Sequence, residues 1–436
     1  MQHGTTHGGP VVTPTGDGER HRGQPDQKWV LIAFLWFAYV LNHADRQVVY
    51  TLFPALQREF GFSNTVLGLT GALFLWVYGL CSPLAGIAGD RWPQTKLVAW
   101  SLGLWSAFTV LSGFAVNGTM LLTCRALLGI SESFFMPAAF GLMANAHGPS
   151  TRSRAVAIFT TSQIVGVAVG GSLSGFIAER HNWRVSFWIL GGCGLLFAIP
   201  LYRFLCSVPP HFRGAGAGNA ATLKSLASLF RIPSFRIVAI YISVATFGLY
   251  LVYSWLPAFL FDKFGIGLAR AAFEASFYPQ VGTAAGLLVG GWAADRFYAR
   301  AHSARFWIVL IAFLAGGPCI YLVGAGSTLQ ATRLAAIAFG FFAGFISGNQ
   351  APSAFDVVPA SQRASAVGAY NVTGASISGL APFLGGMARS TIGIGKLMAY
   401  TSLLYLVTAG IVLYAILCHF ERDHRTAAER SDRELQ

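Results

Sequence analysis

The chain has 436 residues, 54% hydrophobic and 11% charged, and 30 Lys and Arg against 17 Asp and Glu leave a formal net charge of +13. A soluble domain carries about 25% charged residues, so the composition excludes an ordinary soluble protein and points to a surface that faces lipid. The positive excess is spread over short loops instead of one basic face, which argues against a nucleic-acid partner.

Residues 1–28 are polar and rich in Gly, Pro, Thr and His, and read as a disordered cytoplasmic lead-in, not a signal peptide. Beyond them, apolar stretches fall at 29–53, 66–88, 97–117, 119–144, 155–178, 185–206, 236–260, 271–294, 306–325, 329–357, 366–388 and 397–419. Each approaches the roughly 20 residues with which a helix crosses about 30 Å of hydrocarbon. A backbone in lipid must satisfy its own hydrogen bonds, so the expected fold class is an all-α membrane protein with twelve transmembrane helices. The six cysteines lie in or at the ends of these stretches and read as small apolar side chains.

Between the sixth and seventh stretches stand Arg203, Arg213, Lys224, Arg231 and Arg236 with no acid, and the loops after the second, fourth, eighth and tenth add Arg91, Lys96, Arg152, Arg154, Arg296, Arg300, Arg305 and Arg363. Basic loops stay on the cytoplasmic side. Both termini are therefore expected in the cytoplasm, and the chain in the cell (inner) membrane as a multi-pass monomer.

The sequence also repeats itself. Gly86-Ile-Ala-Gly-Asp90-Arg91 returns as Gly291-Trp-Ala-Ala-Asp295-Arg296 at an offset of 205, and Arg125 finds Arg333 at an offset of 208. The loop running from Pro149 to Arg154 returns as that from Pro359 to Arg363. Two six-helix halves follow, 29–207 and 236–420, joined by a basic cytoplasmic linker at 208–235 and followed by a cytoplasmic tail at 421–436. A parallel repeat of this kind places a binding site near the midplane between the halves. Gly166, Gly170, Gly171 and Gly175 in the fifth stretch, and Gly374, Gly379, Gly385 and Gly386 in the eleventh, suit close helix approach.

Four ionisable side chains are read at bilayer depth, all in the first half: Asp45, Arg46, Arg125 and Glu132. A charge at the centre of a membrane helix costs roughly 2.5–3.5 kcal/mol, which makes an inert role expensive. Asp45 and Arg46 are chain neighbours whose side chains point about 100° apart, so each must look to another helix. Arg125 and Glu132 are seven apart, on one face and about 10.5 Å apart along the axis. Together they are expected to form one cluster that is neutral with both acids ionised, each arginine then having a carboxylate. With both acids protonated, two cations lack partners and a substrate carboxylate can replace them. Protons and anion would then favour each other's binding. The competing reading is a structural ion-pair network pinning the first and fourth helices. Asp356, near a helix end, reads as a loop anchor.

The two Gly-x-x-x-Asp-Arg loops resemble the signature loop of the major facilitator superfamily, and the resemblance runs from residue 29 to about 420. The first copy departs from the pattern where Trp92-Pro-Gln-Thr-Lys96 stands in place of a glycine and a second basic pair. Leu41-Asn42-His43-Ala44-Asp45-Arg46, the run from Arg125 to Glu132, and Thr161-Ser162-Gln163 resemble the anion:cation symporter branch, with its bacterial sugar-acid carriers and vesicular glutamate and sialic acid carriers. The resemblance implies two pseudo-symmetric six-helix bundles and proton-coupled symport of a small organic anion, a sugar acid or related carboxylate. It also implies no cofactor besides the coupling proton. Asp45 and Glu132 would be proton sites, Arg46 and Arg125 carboxylate sites, and Tyr78, Gln163 and Asn371 hydroxyl contacts, with Asn349, Gln350 and Tyr253 as further polar neighbours. Asp90 with Arg91, and Asp295 with Arg296, would act in gating, or as plain loop anchors. Asn42-x-x-Asp45-Arg46 and the Arg125/Glu132 spacing also resemble spinster-like carriers of lysolipids or other amphiphilic anions. A non-transporting anion receptor is the reading from another class. An enzyme is not expected, because no nucleophile–base pair, metal cluster or phosphate loop occurs at usable spacing.

Overall fold

A computed structural model describes residues 25–209, 227–298, 300–359 and 362–435. Among them the chain forms α1 (Pro25–Thr51), α2 (Phe53–Phe60), α3 (Asn64–Arg91), α4 (Gln94–Gly113), α5 (Gly118–Ser133), α6 (Phe135–Ala146), α7 (Pro149–Arg180) and α8 (Trp183–Ser207). The second half contributes α9 (Pro233–Phe264), α10 (Leu268–Tyr298), α11 (Ala304–Ala325), α12 (Leu329–Phe355), α13 (Arg363–Thr391), α14 (Ile394–Cys418) and α15 (Phe420–Leu435). No strand occurs among the described residues. Eight helical stretches are long and apolar enough on their own to cross a membrane. The other four spans are α1, α4, α10 and α13, and α1 carries five polar residues, Asn42, His43, Asp45, Arg46 and Gln47, within six positions. The fold is thus a twelve-span helical membrane protein, with α1 and α2 sharing one span and α5 and α6 another.

Local chemistry sets the helix ends. Ser63, Asn117 and Thr328 accept from the backbone N–H groups of Val66, Met120 and Ala331 at 3.3, 2.8 and 3.2 Å, satisfying donors that the first turn leaves open. Gly265, at φ 60°, ends α9 in the left-handed conformation that only glycine adopts cheaply. The fourth span was expected to be continuous and is instead broken at Phe134. Pro137 is the physical reason, since its ring nitrogen cannot donate to the carbonyl of Ser133 one turn back. The break falls two residues after Glu132.

An even number of spans puts the start of α1 and helix α15 on one face, here termed the terminal face, with the far face opposite. Three helix pairs join the halves, α3 with α13, α7 with α10, and α1 with α9. Their contacts gather toward the far face. Glu179 accepts from the Ala269 N–H at 2.6 Å, Trp76 Nε1 donates to the Ser376 carbonyl at 3.1 Å, and Gln47 Nε2 donates to the Tyr253 carbonyl at 3.1 Å. Arg389 of α13 reaches Gln57 of α2 at 3.4 Å. A side chain at Gly170 would collide with the backbone of Ala44, so this glycine lets α7 press against the part of α1 that carries Asp45.

The predicted lead-in largely coincides with residues outside those described, as does most of the basic linker, at 210–226. The stretch read as a tail is helical. In α15, Asp423 accepts from the Ser234 N–H at the start of α9, 2.9 Å away, and His424 Nδ1 lies 2.7 Å from the Asp356 carbonyl oxygen.

Candidate functional site

Helices α1 and α5 bring Asp45, Arg46, Arg125 and Glu132 into one buried cluster, with exposures of 2%, 9%, 0% and 1%. Arg46 Nε donates to Glu132 Oε2 at 2.8 Å. The Asp45 carboxylate turns the other way and accepts from Thr109 Oγ1 of α4 at 3.1 Å. Arg125 Nη1 reaches only the main-chain oxygen of Asp45, at 3.5 Å. Phe74 lies between the two cations, its ring 5.0 Å from the Arg46 guanidinium and 5.1 Å from that of Arg125. Tyr78, one turn on along α3, stacks 4.7 Å from Arg46.

The expected matching of each arginine to a carboxylate is therefore half wrong. Arg46 and Glu132 pair, but Asp45 is drawn off by Thr109, so Arg125 faces a peptide oxygen in place of a charge. Arg125 Nε and Nη2, Asp45 Oδ1 and the Tyr50 hydroxyl make no hydrogen bond among the described residues. Leaving such groups unsatisfied in an apolar interior costs about 1–3 kcal/mol apiece, more for a charge. Their concentration at one spot marks a place prepared for polar company.

A second correction concerns the other half, where no acid at bilayer depth was expected. Glu274 of α10 is 5% exposed and takes a fork from Arg333 of α12, with Nε at 2.7 Å and Nη2 at 2.5 Å. The signal was available: Arg333 occupies the repeat position of Arg125, and a cation at that depth needs an anion.

Among the predicted hydroxyl contacts, Tyr78 joins the cluster. Gln163 is half-buried on α7 and Asn371 exposed on α13, and neither hydrogen-bonds to the four charged residues. Tyr253 and Asn349 are spoken for, the former through Gln280 Nε2 at 2.6 Å and the latter through the Gly290 and Phe345 carbonyls. Of the predicted gating residues, the side chain of Asp90 lies outside the described residues, while Arg91 and Arg296 are exposed at the terminal ends of α3 and α10. Asp295 is 80% exposed and 3.7 Å from Arg305. Arg305 is held closer by Asp356, at 2.6 Å, and Tyr298 donates to the same carboxylate at 3.3 Å. Burial pushes the Asp356 carboxyl above the usual carboxylate range, with the Arg305 guanidinium opposing the shift. Sequence reasoning missed Thr109, Phe74, Tyr39, Tyr50 and Tyr250 as neighbours of the charges. Two of them carried a signal: Phe74 through its four-residue spacing from Tyr78, and Tyr250 through the repeat offset of 205 from Asp45. Among the described residues no three His, Cys, Asp or Glu gather as a metal set.

Residues 35–382 match the Major Facilitator Superfamily. The chain is 27% identical over 412 residues to an MFS-type efflux pump of Mycolicibacterium smegmatis (strain ATCC 700084 / mc(2)155), covering 93% of this chain and 94% of that one. It is 25% identical over 396 residues to a probable L-galactonate transporter of Escherichia coli (strain K12), covering 87% of each. The fold superposes on a bacterial homologue of the human lysosomal transporter Spinster, crystallised in an inward-facing and unoccupied conformation, with a TM-score of 0.72 and 19% identity over 93% of this chain and 99% of that one. Family membership, twelve spans and a buried charge cluster agree on transport, not catalysis of a covalent reaction. The chain belongs to the major facilitator superfamily and is a multi-pass membrane transporter.

Proposed function

We propose that the protein moves a small organic anion, a sugar acid or related carboxylate, together with protons by alternating access between its two halves. The observation that carries this reading is Arg125, fully buried with Nε and Nη2 unpaired. A carboxylate arriving from solution would fill that fork as a bidentate partner. Glu132 supplies the proton link. While ionised it occupies Arg46, and protonation would release Arg46 to the same anion, so proton and anion binding reinforce each other. Asp45, with one oxygen unpaired beside Arg125, is the second proton site.

Basic loops support placing both termini in the cytoplasm. On that placement the far face is the outer one, and its contacts through Glu179, Trp76 and Gln47 make this an outward-sealed state. The transporter would then work in the cell membrane, as a monomer.

A second reading, a carrier of lysolipid or another amphiphilic anion running in either direction, is favoured by the rings of Phe74, Tyr78 and Tyr39 around the charges and by the efflux pump's similarity. Proteoliposomes with an inward proton gradient separate the readings. Protonophore-sensitive accumulation of labelled L-galactonate or D-glucuronate, lost in Arg125→Ala, supports the sugar-acid reading. Accumulation of lysophosphatidylglycerol alone transfers support to the second. Binding of either without substrate-driven proton flux sinks both in favour of a receptor.

A further inference from the structure

We propose that Tyr250 is the second half's contact with the bound anion, its phenol hydroxyl donating to the carboxylate held by the Arg46 and Arg125 guanidinium groups. This inference rests on the anion reading above and adds what joins the anion to movement of the halves.

The four charges of the cluster all belong to the first half. An anion bound by them alone would ride with that half and give the other no reason to move, because a ligand shifts a conformational equilibrium only through contacts that differ between the states. Some group of the second half must therefore meet it. Tyr250 is on α9, the helix of the second half that packs along α1. The offset of 205 that relates the two signature loops carries Asp45 onto Tyr250, so the second half presents a phenol where the first presents a carboxylate.

Packing singles out the same residue. Of the two apolar clusters, one draws on both halves and the other only on residues 31–208, and among the described residues Tyr250 is the one second-half side chain packed against the latter. It is also within electrostatic reach of Arg46 and of the Tyr39, Tyr50 and Tyr78 hydroxyls. Its neighbour Tyr253, in edge-to-face contact at 6.0 Å between ring centres, has a committed hydroxyl and a committed carbonyl, bound to Gln280 and Gln47. The Tyr250 hydroxyl makes no hydrogen bond among the described residues, and the side chain is only half-buried. It is thus a donor in hand, on the right helix, beside a guanidinium that attracts the same carboxylate.

Tyr250→Phe tests this, because the ring and its packing on both clusters stay while the hydroxyl goes. Binding and counterflow of labelled L-galactonate and D-glucuronate are measured on purified wild type, Tyr250→Phe and Arg125→Ala, with thermal stability of the anion-free proteins as the folding control. Unchanged stability with five- to twentyfold weaker binding and a larger fall in counterflow rate supports the contact. Wild-type binding and counterflow in Tyr250→Phe, with both lost in Arg125→Ala, overturn the Tyr250 role while leaving the anion site standing. A wild type that binds neither anion overturns both. If Tyr250→Phe is unstable, Tyr250→Trp in the same assay is expected to show equally weakened binding, since its ring N–H lies elsewhere; wild-type affinity there would also overturn the proposal.

Discussion

Arg125 and Arg333 stand 208 residues apart at corresponding places in the repeat, and the fold treats them oppositely. Arg333 is closed into a fork with Glu274, whereas Arg125 has one long bond to a main-chain oxygen and two unpaired nitrogens. One arginine fastens α10 to α12; the other keeps two nitrogens unpaired among the described residues.

That asymmetry sets the first prediction. Arg125→Lys is expected to weaken anion binding by at least about tenfold, because an ammonium cannot offer two parallel donors. Arg333→Lys should leave affinity near wild type and lower stability by about 1–3 kcal/mol, less than for a fully buried pair because Arg333 is partly exposed. Titration calorimetry and chemical unfolding give the two numbers, and the reverse pattern would move the binding role to the second half.

Glu132→Gln keeps the shape of the Arg46 contact and removes its charge. Proton-driven accumulation should disappear while exchange of labelled for unlabelled anion continues, and anion affinity should lose the part of its pH dependence that Glu132 carries, leaving that of Asp45. Folded protein that has lost both activities counts against Glu132 as a proton carrier and in favour of a structural pair.

The far-face seal is held in part by Glu179, whose carboxylate accepts the Ala269 N–H in the first turn of α10. A charge-assisted bond at an exposed helix start is worth about 1 kcal/mol, or roughly a fivefold shift between two states. Glu179→Ala should therefore raise the reactivity of a reporter cysteine beneath the seal toward an impermeant thiol reagent by about that factor. No change would show that the helix packing around Gly171 and Gly175 closes this face without help.

Asp356 gives a pH prediction outside the membrane spans. Burial raises its folded carboxyl above the unfolded value, so the folded state binds the proton more tightly and stability falls as pH rises through the interval between the two values. Thermal unfolding measured across the acid range should show that slope in wild type, and Asp356→Asn should flatten it. A persisting slope in Asp356→Asn would assign it to other carboxyls.

Much of the fold was legible because lipid leaves a chain few choices. The apolar stretches could only be helices, and the two signature loops could only mean a duplicated half. The helix break at Phe134 had a visible cause in Pro137, although the span around it reads as unbroken. The candidate site was legible as a set, since four charges in hydrocarbon need one another, but its pairing was not. Asp45 turns to Thr109, a residue no spacing connects to it, and Glu274 finds Arg333 across 59 positions of chain.

The sequence by itself determined that this is a twelve-span transporter with two related halves and that its charged residues cluster, because hydropathy, repeats and the cost of burying charge are local properties. Only the tertiary structure decided which cation was satisfied and which was left open, and that Tyr250 touches both halves. Those outcomes depend on where side chains from distant helices meet, and on a few ångströms that separate a carboxylate from a guanidinium.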